Sequence, residues 1–204
     1  MTSKLTTDQR REQIVEALLK QIAHAGYAGA TIQSIARTAG MNPGLIHYHF
    51  KDKREILVAS VETLVAYARA RFERRAAGAT TAKARLRAYI DARLAYGDDA
   101  RADAVAAWVM IGAEAVRDPD VREVYQRSVG EELKQVRTLL KARLAEAGRR
   151  SRRTTALAAA LLAYIEGVFA LASTARELVP KGFAAEMAQD WVERYLAVEP
   201  GVDK

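Results

Sequence analysis

The chain has no cysteine, which excludes disulfides, thiolate metal sites and a cysteine nucleophile, and fits a reducing cytoplasm. Only 4 prolines and 12 glycines punctuate its 204 residues. No Val/Ile/Thr-rich alternating stretch is long enough for a sheet, whereas Ala, Leu, Arg, Glu and Val recur at helical spacing throughout. The pattern predicts an all-α protein. Long apolar runs are also scarce. The longest, Ala156 to Ile165, stops at Glu166 and Gly167, too short and too Ala-rich for a membrane span, and reads as a buried core helix. Met1 to Arg11 is polar and lacks the apolar core of a secretory signal. No nucleophile, metal or acid–base constellation stands out, so neither an enzyme nor a cofactor is expected. With 50% hydrophobic residues the chain is too apolar for a disordered tail, and its length fits one globular unit or two small ones.

The charge is unbalanced: 32 Lys and Arg against 25 Asp and Glu give a net of +7, which suggests an anionic partner. Residues Met1 to Arg54 hold eight of the basic and four of the acidic side chains, a net of +4, together with His24, His47 and His49. The basic density therefore sits at the N-terminus.

Helix boundaries follow from caps and breakers. Thr6 with Gln9 three residues on reads as a capping box, followed by Ile14, Leu18 and Ile22 on one face and a stop at Gly26. Thr31 caps a second, short helix with Ile32, Ile35, Ala36 and Ala39 on its apolar side and Gly40 at its end. Asn42 caps a third, with Pro43 at its first position, running to His49. A long helix from about Lys53 to Ala77 follows. Breaks at Gly78–Thr81, Gly97–Asp99, Asp118–Pro119, Gly148–Arg152 and Pro180–Gly182 separate five more, giving about nine.

The second and third helices, joined at Gly40 with small Ala36 at their crossing, form a helix-turn-helix. Its second helix would place N-terminal side chains at base edges in a major groove, with Leu45 or Ile46 facing inward. Two histidines two residues apart diverge by about 200° around a helix, so His47 and His49 do not share a metal. Phe50 and His24 read as structural side chains. The Arg149-Arg150-Ser151-Arg152-Arg153 run reads as a solvated loop.

The string Gly-Ala-Thr-Ile-Gln-Ser-Ile-Ala-Arg-Thr-Ala-Gly-Met-Asn-Pro-Gly-Leu-Ile-His-Tyr-His-Phe-Lys-Asp-Lys-Arg-Glu-Ile-Leu, from Gly29 to Leu57, resembles the DNA-binding domain of the TetR family of bacterial regulators. The resemblance covers roughly Asp8 to Val65. It implies that Thr31, Gln33 and Ser34 approach phosphate or an outer base. Asn42, Pro43, Gly44, Leu45, His47, Tyr48 and His49 match the recognition helix, and Lys53 matches a phosphate contact. His47 departs from the family, which most often has tyrosine there, so the family's base preferences do not transfer. The implied organisation is a DNA-binding domain over 8–68, with its helix-turn-helix at about 31–50, and a six-helix ligand-binding and dimerisation domain over 69–198.

Farther along, Ala106 to Ala115, Asp118 to Tyr125 and Leu162 to Phe169 are similar to the BetI-type C-terminal subgroup, which includes a choline-responsive repressor; the similarity does not transfer the ligand. Candidate pocket residues are Tyr89, Tyr96, Trp108, Met110, Tyr125, Tyr164 and Phe169, with Glu114 and Glu166 as acids in apolar helices that meet a cationic ligand or an arginine. The last two helices, Thr154 to Val179 and Phe183 to Val198, are candidates for a homodimer bundle. Ala158, Ala159, Ala163 and Gly167 would allow close approach there, and Leu161, Leu162, Ile165, Val168, Trp191 and Leu196 would supply apolar area. The resemblance thus implies a cytoplasmic, dimeric repressor that binds a palindromic double-stranded operator and is released by a small molecule, with no membrane partner. The competing reading of the same residues is a helical small-molecule binding or interaction protein with a basic N-terminus.

Overall fold

The computed structural model describes residues 6–95, 97 and 99–200. Among them are nine α-helices and no strand: α1 (Thr7–Gly29), α2 (Ile32–Ala39), α3 (Pro43–His49), α4 (Lys53–Ala76), α5 (Ala82–Leu94), α6 (Ala102–Glu114), α7 (Pro119–Glu146), α8 (Thr154–Thr174) and α9 (Phe183–Ala197). Each early boundary has a local cause. The Thr6 and Gln9 side chains bond each other's backbone N–H groups in a capping box at the start of α1. Thr31 and Ser34 do the same for α2. Asn42 accepts from Leu45 N at 2.8 Å, ahead of Pro43, to open α3. Asp52 accepts from Glu55 N at 2.8 Å at the head of α4.

In the helices around the turn, glycine is required by geometry at two positions. Gly40 closes α2 in the left-handed region at φ 66°, and Met41 N bonds Ala36 O at 2.9 Å, so the chain reverses directly into α3. Gly26 has φ 72°, a break inside α1 where a side chain would be strained; the helix runs on to Gly29 beyond it.

The contacts divide the chain into two units. The first joins Met1–Ala66 to Arg101–Ser128, and the second joins Tyr67–Ala100 to Val129–Lys204. Helix α6 and the start of α7 pack with the first unit, because α6 lies along α1. The core of this unit is Ile14, Leu18 and Ile22 of α1 with Ile35, Ile46, Phe50, Ile56, Leu57, Ala107 and Ile111, each no more than 1% exposed. Phe50 is core, as expected, and of the Leu45/Ile46 pair it is Ile46 that points inward. In the second unit α5, α8 and α9 pack together around Leu86, Ile90, Leu161, Ile165, Ala188 and Val192.

Helix α8 ends at Thr174, earlier than the expected Val179. Ser173 and Thr174 hydroxyls bond the carbonyls of Phe169 and Ala170. A single 3-10 turn, Arg176–Leu178, then leads into extended Val179 before Pro180. Apolar residues resume after Gly167, so α8 is long and apolar enough to cross a membrane by length and composition alone, a test that a core helix also passes, and 33% of that window is buried within the protein.

Candidate nucleic-acid interface

Helix α3 is held from behind at both ends. Ile46 is fully buried on its inner face and Phe50 closes it. Arg11 of α1 donates to the His49 carbonyl, lies 3.9 Å from the Phe50 ring centroid and pairs with Glu55 at 3.5 Å. What remains outward is the candidate reading face: Asn42, Pro43, Gly44, His47 and Tyr48 are exposed, Tyr48 at 77%, and Leu45 is half-buried. Asn42 uses its side-chain oxygen for the cap, which leaves its amide N–H groups as donors.

His49 does not join that face. It is 9% exposed and packs edge-on against Tyr48, with ring centroids 5.0 Å apart. It lies three residues after Ile46, on the same side of the helix, and so points into the unit.

On α2, Thr31 and Gln33 are exposed and Ser34 is half-buried. The Ser34 hydroxyl accepts from Thr31 N at 2.9 Å and donates to Thr31 O at 3.0 Å, so its proton is engaged within the cap. Thr31 Oγ1 only accepts, from Ser34 N at 3.1 Å, and keeps its proton for an outside acceptor. Arg37 and Thr38 are exposed at the other end of this helix, with Thr38 accepting from Gln21 at 2.7 Å. Sequence reasoning missed Arg37, whose signal was a cation on the polar side of a helix crossing the turn.

Lys53 also departs from its expected place. Its ammonium donates to Tyr27 O at 3.1 Å and Ala30 O at 3.0 Å and lies over the Tyr27 ring. Burial pushes its pKa down against the opposing charges of Asp118 and Glu114. Burial likewise pushes Tyr27 up to about 12, helped by Asp118. The cation thus closes the broken end of α1 with two of its three N–H groups.

The pocket candidates fall into three groups, and Tyr96 lies outside the described residues. In the first unit Trp108 and Tyr125 rings are 5.0 Å apart, Tyr125 packs on Gly112, Met110 lies against Gly26, and Glu114 is half-buried. In the second unit Tyr164 stacks on Trp191 at 6.5 Å and donates to Ala184 O.

The third group is a buried charged cluster in the second unit. Tyr89 donates to Glu132, Arg93 Nε lies 3.3 Å from Glu132 Oε1 without hydrogen-bond alignment, and Arg93 Cζ is 5.5 Å from the Phe169 centroid. Burial raises the Tyr89 pKa, with Glu132 adding to it. Burial opposes the Arg93 charge, but Glu132, Tyr89 and Glu166 outweigh it and raise its pKa. Sequence reasoning found Tyr89, Glu166 and Phe169 but missed Arg93 and Glu132. A separate groove of about 140 Å³ between α5 and α9, lined by Lys83, Leu86, Arg87, Ile90, Gln189 and Glu193 among others, holds none of the candidates. No group of three or more His, Cys, Asp or Glu suited to a metal occurs among the described residues.

Comparison with known proteins gives a consistent result. Residues 14–60 match the sequence model for bacterial regulatory proteins of the tetR family, and residues 82–197 match that for the C-terminal region of BetI-type transcriptional repressors. The HTH-type transcriptional regulator BetI of Burkholderia mallei is 29% identical over 191 residues, 92% of this chain and 94% of the relative. The regulator of that name in Rhizobium meliloti is 34% identical over 116 residues, 56% of each. Among solved structures, a TetR-family transcriptional regulator of Rhodococcus sp. superposes with a TM-score of 0.75 at 24% identity, covering 94% of this chain and 98% of that one. A transcriptional regulator of Saccharomonospora viridis in complex with choline gives 0.72 at 22% identity, covering 94% and 97%. These structural likenesses establish the fold.

Proposed function

The chain belongs to the tetR family of bacterial regulatory proteins and is a transcriptional regulator with a BetI-type C-terminal region; we propose that it is a cytoplasmic repressor that binds a near-palindromic operator as a homodimer and leaves it when a small organic ligand binds. The observation that carries the DNA reading is α3 itself, capped at Asn42, anchored inward by Ile46 and His49, and presenting His47 and Tyr48 to the outside. Asn42, Pro43, Gly44, Leu45, His47 and Tyr48 meet the major groove, while Thr31, Gln33 and the first turn of α2 meet the backbone.

The dimer reading rests on α8 and α9, on a face that keeps Ala159, Ala163, Gly167 and Trp191 of the expected residues and loses the others. Ala158, Leu161, Leu162, Ile165 and Leu196 are buried in the protomer's own core. The open face of α8 is Ala156, Ala159, Ala160, Ala163, Gly167 and Leu171, repeating every three or four residues. Met187 and Trp191 are exposed on α9, at 55% and 37%. Small residues flanked by large apolar ones suit close helix packing across a two-fold axis.

The ligand reading rests on the Tyr89–Arg93–Glu132–Glu166–Phe169 cluster. Two carboxylates act on one guanidinium there, which leaves an excess of negative charge, so a compact organic cation such as choline, the ligand of the Saccharomonospora viridis regulator, fits it in charge.

A gel shift on the DNA upstream of the protein's own gene, repeated over a salt series, tests the reading. A shift that persists at physiological salt and outcompetes random DNA supports it; equal binding to random DNA counts against it.

A further inference from the structure

Helix α6 and the corner that follows it are fastened to the DNA-binding helices at three points. At the start, the Arg101 guanidinium bridges two acids: NH1 and NH2 reach the two carboxylate oxygens of Glu16 on α1, each at 3.2 Å, and NH2 reaches Asp103 at 2.6 Å. In the middle, Met110 Cε lies 3.6 Å from where a Cβ on Gly26 would stand, so the helix sits over the break in α1. At the far end Arg54, in the first turn of α4, reaches Glu123 at 2.7 Å and Asp120 at 3.5 Å on α7. Arg54 stands four residues beyond Phe50, the residue that closes α3.

The placement matters because α6 and the start of α7 belong in sequence to the BetI-type match over residues 82–197, yet pack with the helix-turn-helix. Within the first unit they pack with the reading head. Within the first unit, the two ion pairs lie at opposite ends of α6 and its corner, one on α1 and one on α4. Together these fix an angle, which one contact alone does not.

We infer that Glu16–Arg101 and Arg54–Glu123 are positioning pairs that hold α1 and α4, and with them α3, at a set tilt against α6 and α7. The side chains are between 35% and 58% exposed, so each pair adds little to stability. Removing them changes orientation while leaving the fold intact.

The inference rests on the operator-binding dimer proposed above. The test uses the full-length protein and an operator selected by the wild type from random DNA, with the spacing between half-sites then changed in steps of one or two base pairs. The wild type is expected to bind one spacing best. The Glu16→Gln/Glu123→Gln double variant is expected to bind that spacing about ten-fold more weakly and to lose most of the discrimination against the others. Exchange of the first pair, Glu16→Arg with Arg101→Glu, is expected to retain the spacing optimum, and circular dichroism and melting temperature to change little in either variant. A double variant as selective as the wild type, or an exchanged pair as unselective as the double variant, overturns the inference alone. A wild type with no selected site or no preferred spacing overturns the operator-binding reading and the inference with it.

Discussion

The Lys53 ammonium lies 4.1 Å from the centroid of the Tyr27 ring and donates to the Tyr27 carbonyl at 3.1 Å. With the bond to Ala30 O, one cation satisfies two carbonyls at the frayed end of α1, next to the Thr31 cap of α2. The residue that the family resemblance assigns to phosphate thus ties the start of α4 to the end of α1, at the entry of the helix-turn-helix.

Lys53→Met removes both bonds while keeping an apolar stem. Unfolding free energy is expected to fall by about 1 to 3 kcal/mol, the range for bonds to a charged donor. The slope of binding affinity against salt is expected to stay at the wild-type value. A slope flatter by about one unit would place the ammonium on a phosphate instead.

Tyr48 and His49 are neighbours with opposite duties. Tyr48→Ala is expected to weaken operator binding by about 1 to 3 kcal/mol with little change in melting temperature, because the ring is 77% exposed. His49→Ala is expected to lower the melting temperature clearly, because that ring is buried and packed on Tyr48. Thermal melts and anisotropy titrations on both variants separate the two roles.

These neighbours also mark how far the sequence carries. The caps at Thr6, Thr31 and Asn42 and the turn at Gly40 were legible because each is a local bargain between a side chain and a backbone within three residues. The burial of His49 was also legible in principle, since its spacing from buried Ile46 is that of one helix face. The free face of α8 was legible only in part, through Ala159, Ala163 and Gly167. Its sequence is apolar nearly all round, so periodicity cannot say which side its own protomer covers. The Arg101–Glu16 and Arg93–Glu132 pairs join residues far apart in the chain, and composition carries no record of such pairings.

Asp99 gives a pH test. Its carboxylate meets Arg71 at 3.1 Å, Arg75 at 3.0 Å and Arg74 at 3.6 Å. Hydrogen bonding from Arg71, helped by Arg75, holds its pKa down at about 2, from an ordinary 3.8. The folded form therefore resists the proton that the unfolded chain accepts near pH 3.8, so this contribution is complete above that value and is lost as the pH falls towards 2. Asp99→Asn is expected to be less stable at neutral pH and to lose less melting temperature over that acid window. A variant with the wild-type acid profile would remove Asp99 from the account.

Leu171→Glu places a charge at the C-terminal end of the exposed α8 face. Light scattering at micromolar concentration is expected to give twice the 22.4 kDa chain mass for the wild type and the single mass for the variant. A wild type at the single mass would contradict the dimer.

The central claim is that α3 reads an operator, and selection from random DNA followed by titration of the winning sequence tests it most directly. A palindrome whose half-sites present major grooves about 34 to 36 Å apart is expected. Binding to it is expected to be at least about 10³-fold tighter than to random DNA at physiological salt. A selection that yields no palindrome, with affinity equal on every duplex, would contradict it.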